Sequence, residues 1–363
     1  MHFVCSQCGA TAPADTRQPQ CACGGLWELA ASVPDFSFAR IERDTWSLFR
    51  YRHFLAAGGE WQSISLGEGM TPIVRLDENV LLKMDYCMPT LSYKDRGAAV
   101  LMAHCKAIGV DAVVQDSSGN AGNSIAAYAA RAGIACEIFV PEGTSPGKIA
   151  MIRAHGARCT VVPGSRDHCA AVCREQVARS GVYYANHVYN PLFYEGTKTY
   201  VYEVLEQLHR MPAHLLLPVG NGTLFLGAIK ALEHLLASGV IERMPRIFAV
   251  QSEHCDPILR AAARGAAVPA QVAAKPTLAE GIAIGEPRRG AEILACARRH
   301  AVRFLHAPEA RILEARARLA QQGIYCEHTT AASYAAYLDY CERHGPVADC
   351  LIPMCGAGLK SDH

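Results

Sequence analysis

The chain has 363 residues, half of them hydrophobic, which is enough for about two domains with substantial cores. Its 35 Lys and Arg nearly cancel its 34 Asp and Glu, so net charge points to neither a nucleic acid nor an anionic membrane, and the expected partner is a small molecule. No apolar stretch approaches bilayer length, and Met1-His2-Phe3-Val4-Cys5 does not lead a basic region into a long apolar run, so the expected location is the cytoplasm.

Sixteen cysteines are present, and after the first four they are scattered through strand-like and helical runs, as at Cys136, Cys159 and Cys350, which fits reduced and mostly buried thiols. The first four differ. Cys5-x-x-Cys8, a gap of twelve residues and Cys21-x-Cys23-Gly24-Gly25 form two knuckles with zinc-ribbon spacing, and Cys5, Cys8, Cys21 and Cys23 are the expected ligands of a structural Zn2+. A segment of about 25 residues is too small for its own core, and metal binding would fold it. The second knuckle is CxC rather than CxxC, which strains the chelate; the competing reading is a ribbon without its metal. Arg17 is the only basic residue inside it, which argues against nucleic acid.

From Ala31 to Gly59 the pattern predicts a linker packed on the body, with a helix around Thr45 to Ala56. Leu66 to Pro72 reads as a turn-rich loop, and Val80 to Met84 as a strand. Asp95 to Ile108 reads as an amphipathic helix with Ala98, Leu101, Met102, Cys105 and Ile108 on one face, which puts Lys94 at a strand-to-helix turn. The positive end of the helix dipole there favours the neutral amine, the form a Schiff-base lysine needs. Taken alone, Lys94 reads first as a solvated residue of a charged turn.

Strands then alternate with helices: Asp111–Gln115, helix Asn123–Ala132, strand Cys136–Val140, helix Pro146–His155, strand Arg158–Val162, helix Asp167–Ser180 and strand Val182–Ala185. The pattern continues with strand Leu215–Val219, a helix from Leu224, strand Arg246–Gln251 and a closing strand Cys350–Met354, while 261–274 reads as a helix and a loose loop. Such alternation predicts parallel sheets, whose ligands bind at the carboxyl ends of the strands.

Four loops stand at those ends. Asp116-Ser117-Ser118-Gly119-Asn120-Ala121-Gly122 follows a strand and opens a helix, and its N–H groups and hydroxyls form a nest for an anion such as a carboxylate. Pro218-Val219-Gly220-Asn221-Gly222-Thr223 does the same with small residues that admit a phosphate, without the Walker lysine or the dinucleotide fingerprint. Asn190 to Thr199 begins a further helix, and Pro353 to Lys360 ends the last strand with glycines where a flat ring fits. A Schiff-base lysine, a phosphate cradle, a carboxylate nest and a flat slot together describe pyridoxal phosphate holding an amino acid.

These residues resemble threonine synthase and its relatives among the fold type II, or β-family, pyridoxal-phosphate enzymes, over nearly the whole chain. Leu66-Gly67-Glu68-Gly69-x-Thr71-Pro72 is similar to the LGEGxTP entry, Ser92-Tyr93-Lys94-Asp95-Arg96 to the SFKDR motif of the cofactor lysine, and Ser117-Ser118-Gly119-Asn120 to the SSGN loop. Gly323-Ile324-Tyr325-Cys326-Glu327 resembles the GIF-x-E segment, and Gly356-x-Gly358-Leu359-Lys360 the GHGLK end. The resemblance implies an α/β architecture of two doubly wound domains in the tryptophan-synthase-β-like fold, cofactor in the cleft between them, with a small N-terminal zinc ribbon. Its expected division is 1–30 for the ribbon, 31–84 with 186–363 for a large cofactor-binding domain, and 85–185 for a small mobile domain. A homodimer is also implied. By the same resemblance Lys94 carries the cofactor and acts as the base at Cα, and Val219, Gly220, Asn221, Gly222 and Thr223 take its phosphate. Asn120 meets its hydroxyl and Cys355 its pyridine nitrogen, and Ser117, Ser118, Gly119, Asn120, Ala121 and Lys148 bind the substrate.

The departures bear on substrate. Cys355 stands where the family has a hydroxyl and Ala357 where it has an imidazole, and in the NP-x-R-x-EGQKT segment Phe193 replaces the basic residue and Thr197 the Gln. Leu91 and Tyr93 also differ. The expected function is therefore a pyridoxal-phosphate-dependent elimination or replacement on an amino acid, by a carbon–oxygen lyase. Threonine synthase chemistry, O-phosphohomoserine to threonine and phosphate, is the first choice. A related β-elimination or β-replacement on phosphoserine, serine, threonine or another amino acid is the alternative, and a non-catalytic cofactor-binding protein the third.

Overall fold

The computed structural model describes residues 1–57 and 59–360. At the N-terminus, β1 (His2–Cys5), β2 (Thr11–Pro13) and β3 (Trp27–Ala30) form an antiparallel sheet in the order β2-β1-β3. Its Phe3 and Trp27 rings stack at 6.4 Å between centroids, and the sheet is tied to the body through the buried Arg289, which donates to Trp27 O at 2.9 Å. The helix expected over 45–56 is instead a 3-10 helix at Leu48–Phe54, begun by the Ser47 side chain accepting from Phe49 N–H. Tertiary packing decides this: Tyr51 and Phe54 are fully buried and lie against Tyr202.

The body begins with β4 (Ile73–Arg75) and β5 (Val80–Lys83), then α1 (Lys94–Ala107), β6 (Ala112–Gln115), α2 (Asn120–Ala132), β7 (Ala135–Pro141), α3 (Pro146–Ala154), β8 (Arg158–Val162), α4 (Arg166–Ser180) and β9 (Tyr183–Tyr184). It continues with α5 (Leu192–Leu208), β10 (His214–Pro218), α6 (Thr223–Ala237), β11 (Arg246–Ser252), α7 (Pro257–Ala263), α8 (Gly290–Arg299), β12 (Arg303–Ala307), α9 (Ile312–Ala320), α10 (His328–His344) and β13 (Cys350–Pro353). One sheet has the order β12-β11-β10-β13-β5-β4, parallel except for β4 on β5; the other is wholly parallel, β8-β7-β6-β9. Two parallel sheets are thus present where strand–helix alternation predicts them, and β4, β12 and α8 to α10 are added to the expected list.

Helix α1 is not amphipathic. Every residue from Asp95 to Cys105 is buried, because α1 packs against α2 on one side and α5 on the other. Close approach is possible only through glycines: a Cβ on Gly97 would enter the Phe193 ring, one on Gly196 would strike the Arg96 carbonyl, and one on Gly227 would strike Thr197. The polar residues of α1 are correspondingly paired. Arg96, with no exposure, donates from Nε and Nη2 to Asp85 at 2.8 Å and from Nη1 to Glu203 at 2.6 Å, while Lys83 Nζ meets the second Glu203 oxygen at 2.8 Å. Asp95 accepts from Thr90 N–H at 2.7 Å and from the Ser124 hydroxyl at 2.6 Å. These bonds fix the start of α1 against β5, α2 and α5.

Candidate active site

A cavity of about 350 Å³ is bounded by the loops that follow β6, β8 and β10, by the start of α1 and by the segment after β13. Lys94 is the first residue of α1 and reaches this cavity. Its amine is brought down from 10.5 to about 8, chiefly by burial, against an upward pull from Cys355 and Glu327 and with a further push from Arg166. Desolvation, rather than the helix dipole invoked from the sequence, is the main cause. Lys94 Nζ donates to the Tyr93 hydroxyl, which lies 2.9 Å from Thr223 Oγ1 at the start of α6, so the amine and the second glycine loop are joined by one phenol.

That loop has the geometry of an anion cradle. Among the described residues no backbone carbonyl accepts from the N–H groups of Gly220, Asn221, Gly222 or Thr223, and they stand at the N-terminus of a fifteen-residue helix. Gly222 takes φ +80°, and a Cβ there would meet Ile293 Cδ1 at 2.6 Å. On Gly220 a Cβ would meet the Gly281 carbonyl and Ile282 Cα at 3.0 Å. Val219 is the exception to expectation: it is fully buried beneath the loop, its carbonyl accepting from Gln251 Nε2 at 3.2 Å, and it does not line the cavity. Ser117 to Ala121 form a second turn at the N-terminus of α2 and all line the cavity, with Gly119 N–H 3.4 Å from Ser117 Oγ. Gly122 is required there because a Cβ would overlap the Ser117 carbonyl.

A further part of the cavity wall is a hydrogen-bonded chain. Asn120 donates from Nδ2 to Glu327 at 3.0 Å and accepts at Oδ1 from Lys360 Nζ at 2.8 Å; Lys360 also donates to Thr90 O at 2.7 Å, and burial brings its amine down to about 8. Cys355 lines the cavity at 2% exposure, its thiol held well above its ordinary 9 by burial and by Glu327, so it is a neutral partner. Glu327 and Lys360 were legible only as letters of longer motifs. Arg166, at the start of α4, and His187, after β9, also line the cavity and stood in no motif. Lys148 lines it too, but is 3.3 Å from Glu280 Oε2. Phe193 does not: it is fully buried under Gly97, edge-on to the His187 ring at 5.8 Å.

Residues 64–356 match the family described as pyridoxal-phosphate dependent enzyme. The chain belongs to that family. It is similar to the threonine synthase of Mycobacterium leprae, 33% identical over 85% of this chain and 87% of that one, and to the threonine synthase of Methanocaldococcus jannaschii, 29% identical over 91% and 85%. Among solved structures it resembles the processed threonine deaminase isoform 2 of Solanum lycopersicum, with a TM-score of 0.72, 20% identity and coverage of 94% and 90%, a likeness of fold. This is the fold type II architecture anticipated from the motifs. The residues present fit pyridoxal phosphate: a cradle of N–H groups with no backbone acceptor, built on glycines that leave no room for a Cβ, a lysine with a lowered pKa beside it, and a neutral thiol next to that lysine.

The four N-terminal cysteines fit a metal. Their sulfurs all lie within 4.8 Å of one another, with Cys5 3.4 Å from Cys23 and Cys8 3.7 Å from Cys21. Gln7 N–H points at Cys5 Sγ and Gly25 N–H at Cys23 Sγ, each at 3.4 Å, as suits thiolate ligands. The CxC knuckle therefore closes the cluster, and the other twelve cysteines are free thiols. No helix among the described residues is long and apolar enough to cross a membrane.

Proposed function

We propose that this chain uses pyridoxal phosphate to eliminate or replace a substituent on an amino acid, with conversion of O-phosphohomoserine to threonine and phosphate as the first choice. The observation that carries this reading is a lysine of lowered pKa between two helix N-termini whose first N–H groups have no backbone acceptor. Two anions are what the cofactor's phosphate and the amino acid's carboxylate supply.

Gly220 to Thr223 would hold the cofactor phosphate, Asn120 its ring hydroxyl and Cys355 its ring nitrogen; bound there, the cofactor makes the substrate's Cα–H acidic. Serine hydroxyls and N–H groups of Ser117 to Ala121 orient the carboxylate. Lys94, neutral in a substantial fraction near pH 8, takes the Cα proton on Nζ and holds it there, and the Tyr93 hydroxyl keeps that amine at the cradle. Cys355 remains a neutral thiol, which would leave the ring nitrogen of the bound cofactor unprotonated and favour elimination or replacement over transamination. Cys5, Cys8, Cys21 and Cys23 would hold a structural Zn2+.

A second reading, β-elimination or β-replacement on phosphoserine, serine or threonine, is favoured by one observation: Phe193, at the position of the family's basic residue, is sealed from the cavity. Release of phosphate, ammonia and 2-oxoacid from O-phosphohomoserine, O-phosphoserine, threonine and serine separates the two. Turnover of O-phosphohomoserine to threonine supports the first; inertness toward it with turnover of another amino acid leaves the second. Lys94→Ala is expected to abolish the visible absorption of the lysine-bound cofactor, and a variant that keeps this band would sink both.

A further inference from the structure

We propose that Arg166 and His187 form a subsite for an oxyanion carried on the distal end of the substrate's side chain, so that the preferred amino acids bear a phosphate or carboxylate there. The proposal rests on the amino-acid chemistry above. It adds which residues read the side chain.

Three observations carry it. First, Arg166 lines the same cavity as Lys94, and none of the ion pairs among the described residues involves it. It comes from the β8–α4 connection, on the small parallel sheet. Its charge reaches the centre: it pushes down the pKa values of both Lys94 and His187. Every other strong cation of the cavity is engaged, Lys148 with Glu280 and Lys360 with Asn120 and Thr90 O, while Lys94 is committed to the cofactor.

Second, His187 is 8% exposed, lines the cavity, and has a buried Nδ1 with no hydrogen-bond partner in the chain. A buried imidazole left unsatisfied is expensive and calls for a partner from outside the chain. Burial, Lys94 and Arg166 hold it well below its ordinary 6.5, so it is neutral and offers one N–H. The groups facing it are these two cations and the Phe193 ring at 5.8 Å, with no carboxylate among the causes of its shift. A ligand that carries negative charge and accepts from the imidazole N–H satisfies both residues.

Third, the backbone that carries the ring is fixed. Arg289, 4% exposed, donates from Nε to Val188 O at 2.8 Å and from Nη2 to Tyr189 O at 3.3 Å, and Asn186 Oδ1 accepts from Val188 N–H at 2.8 Å. The residues on either side of His187 are thus tied to the body, as a recognition group requires.

The test uses the holoenzyme, in which the cofactor fills the phosphate cradle, so that added phosphate reports the second site. Inorganic phosphate is titrated calorimetrically into wild type, Arg166→Ala, Arg166→Lys and His187→Ala. Binding to wild type, loss of at least tenfold in affinity in Arg166→Ala, partial recovery in Arg166→Lys and a smaller loss in His187→Ala are expected. No binding to wild type, or equal binding to Arg166→Ala, overturns the subsite. The source of the oxyanion is read from competition by O-phospho-L-serine, L-aspartate and L-serine, followed by the change in cofactor absorbance: the ratio of affinity for the two anionic compounds over L-serine is expected to fall about tenfold or more in Arg166→Ala. An equal fall for all three would assign Arg166 to the α-carboxylate and refute the proposal. Absence of the lysine-bound cofactor band in wild type is a different failure, that of the cofactor chemistry itself.

Discussion

Glu203→Gln tests whether the start of α1 is held by a balanced buried charge cluster. Glu203 and Asp85 face Arg96 and Lys83, two charges of each sign, and all four side chains have no solvent exposure. Burial alone would raise the Glu203 carboxyl, but Arg96 and Lys83 pull it from 4.5 down to about 2, a drop that corresponds to about 3 kcal/mol of stability. Removing the charge also strands a buried cation, for which about 3–5 kcal/mol is typical. The two routes agree, and a loss of about 3–5 kcal/mol is expected from urea denaturation of wild type and variant at pH 7. Because the pKa is depressed, this stabilisation is complete above pH 4.5 and is lost as pH falls toward 2, so the gap between the proteins should close on acidification. Restoring the balance with Lys83→Met in the Glu203→Gln background should recover about 2 kcal/mol, since Arg96 keeps both bonds to Asp85. A single variant that loses under about 1 kcal/mol, or a double variant no better than the single, would refute the charge-balance argument. Arg96 lies two residues beyond Lys94, so the destabilised variant should also bind pyridoxal phosphate more weakly.

Tyr93→Phe, which restores the residue of the family motif, removes the hydroxyl that accepts from Lys94 Nζ and meets Thr223. Since that bond favours the charged amine, the pH at which cofactor loading of the apoprotein reaches half its plateau should fall from about 8 by about one unit, measured as the rate of growth of the visible band. An unchanged pH profile would mean that the phenol does not meet the amine. In the ribbon, elemental analysis should find one zinc per chain in wild type and none in Cys21→Ser; chelation should expose residues 1–30 to proteolysis while leaving the body resistant, and zinc-free protein with an equally resistant ribbon would dismiss the metal.

What was legible in the sequence followed the range of the interactions involved. Helix α1, the two glycine loops and the cysteine knuckles are local: periodicity, a strand-to-helix turn or ligand spacing encodes each within about ten residues, and their boundaries fell within three residues of expectation. The 3-10 helix at Leu48–Phe54 was misjudged because its form is set by packing on Tyr202, some 150 positions away. The amphipathic reading of α1 failed for the same reason, since both of its polar and apolar faces are covered by helices that the local pattern does not reveal. The β12 strand, Arg303-Phe304-Leu305-His306-Ala307, lacks a run of apolar residues, being an edge strand with only one neighbour. Glu327, Lys360, His187 and Arg166 come from four separate parts of the chain, and only folding brings them to one cavity.

Phe193 shows how substitution and geometry combine in the question of substrate. Its ring fills the space beside Gly97, where α1 and α5 approach, and has no exposure. A basic side chain could not take that place unchanged, because its charge would have to leave the helix interface to find water or an acceptor. The segment that supplies a cation in the family's pattern therefore supplies apolar packing here and leaves His187 standing over it at 5.8 Å. If the distal end of the substrate carries an oxyanion, its countercharge has to come from another element of the cavity wall. Lys148 is already opposite Glu280 and Lys360 is held by Asn120, so only Arg166, across the cleft on α4, brings a full unpaired charge. Such a relocation would change which side chains fit between the cation and Cα while leaving the cofactor site untouched, which is how a family preserves its chemistry as its substrates diverge.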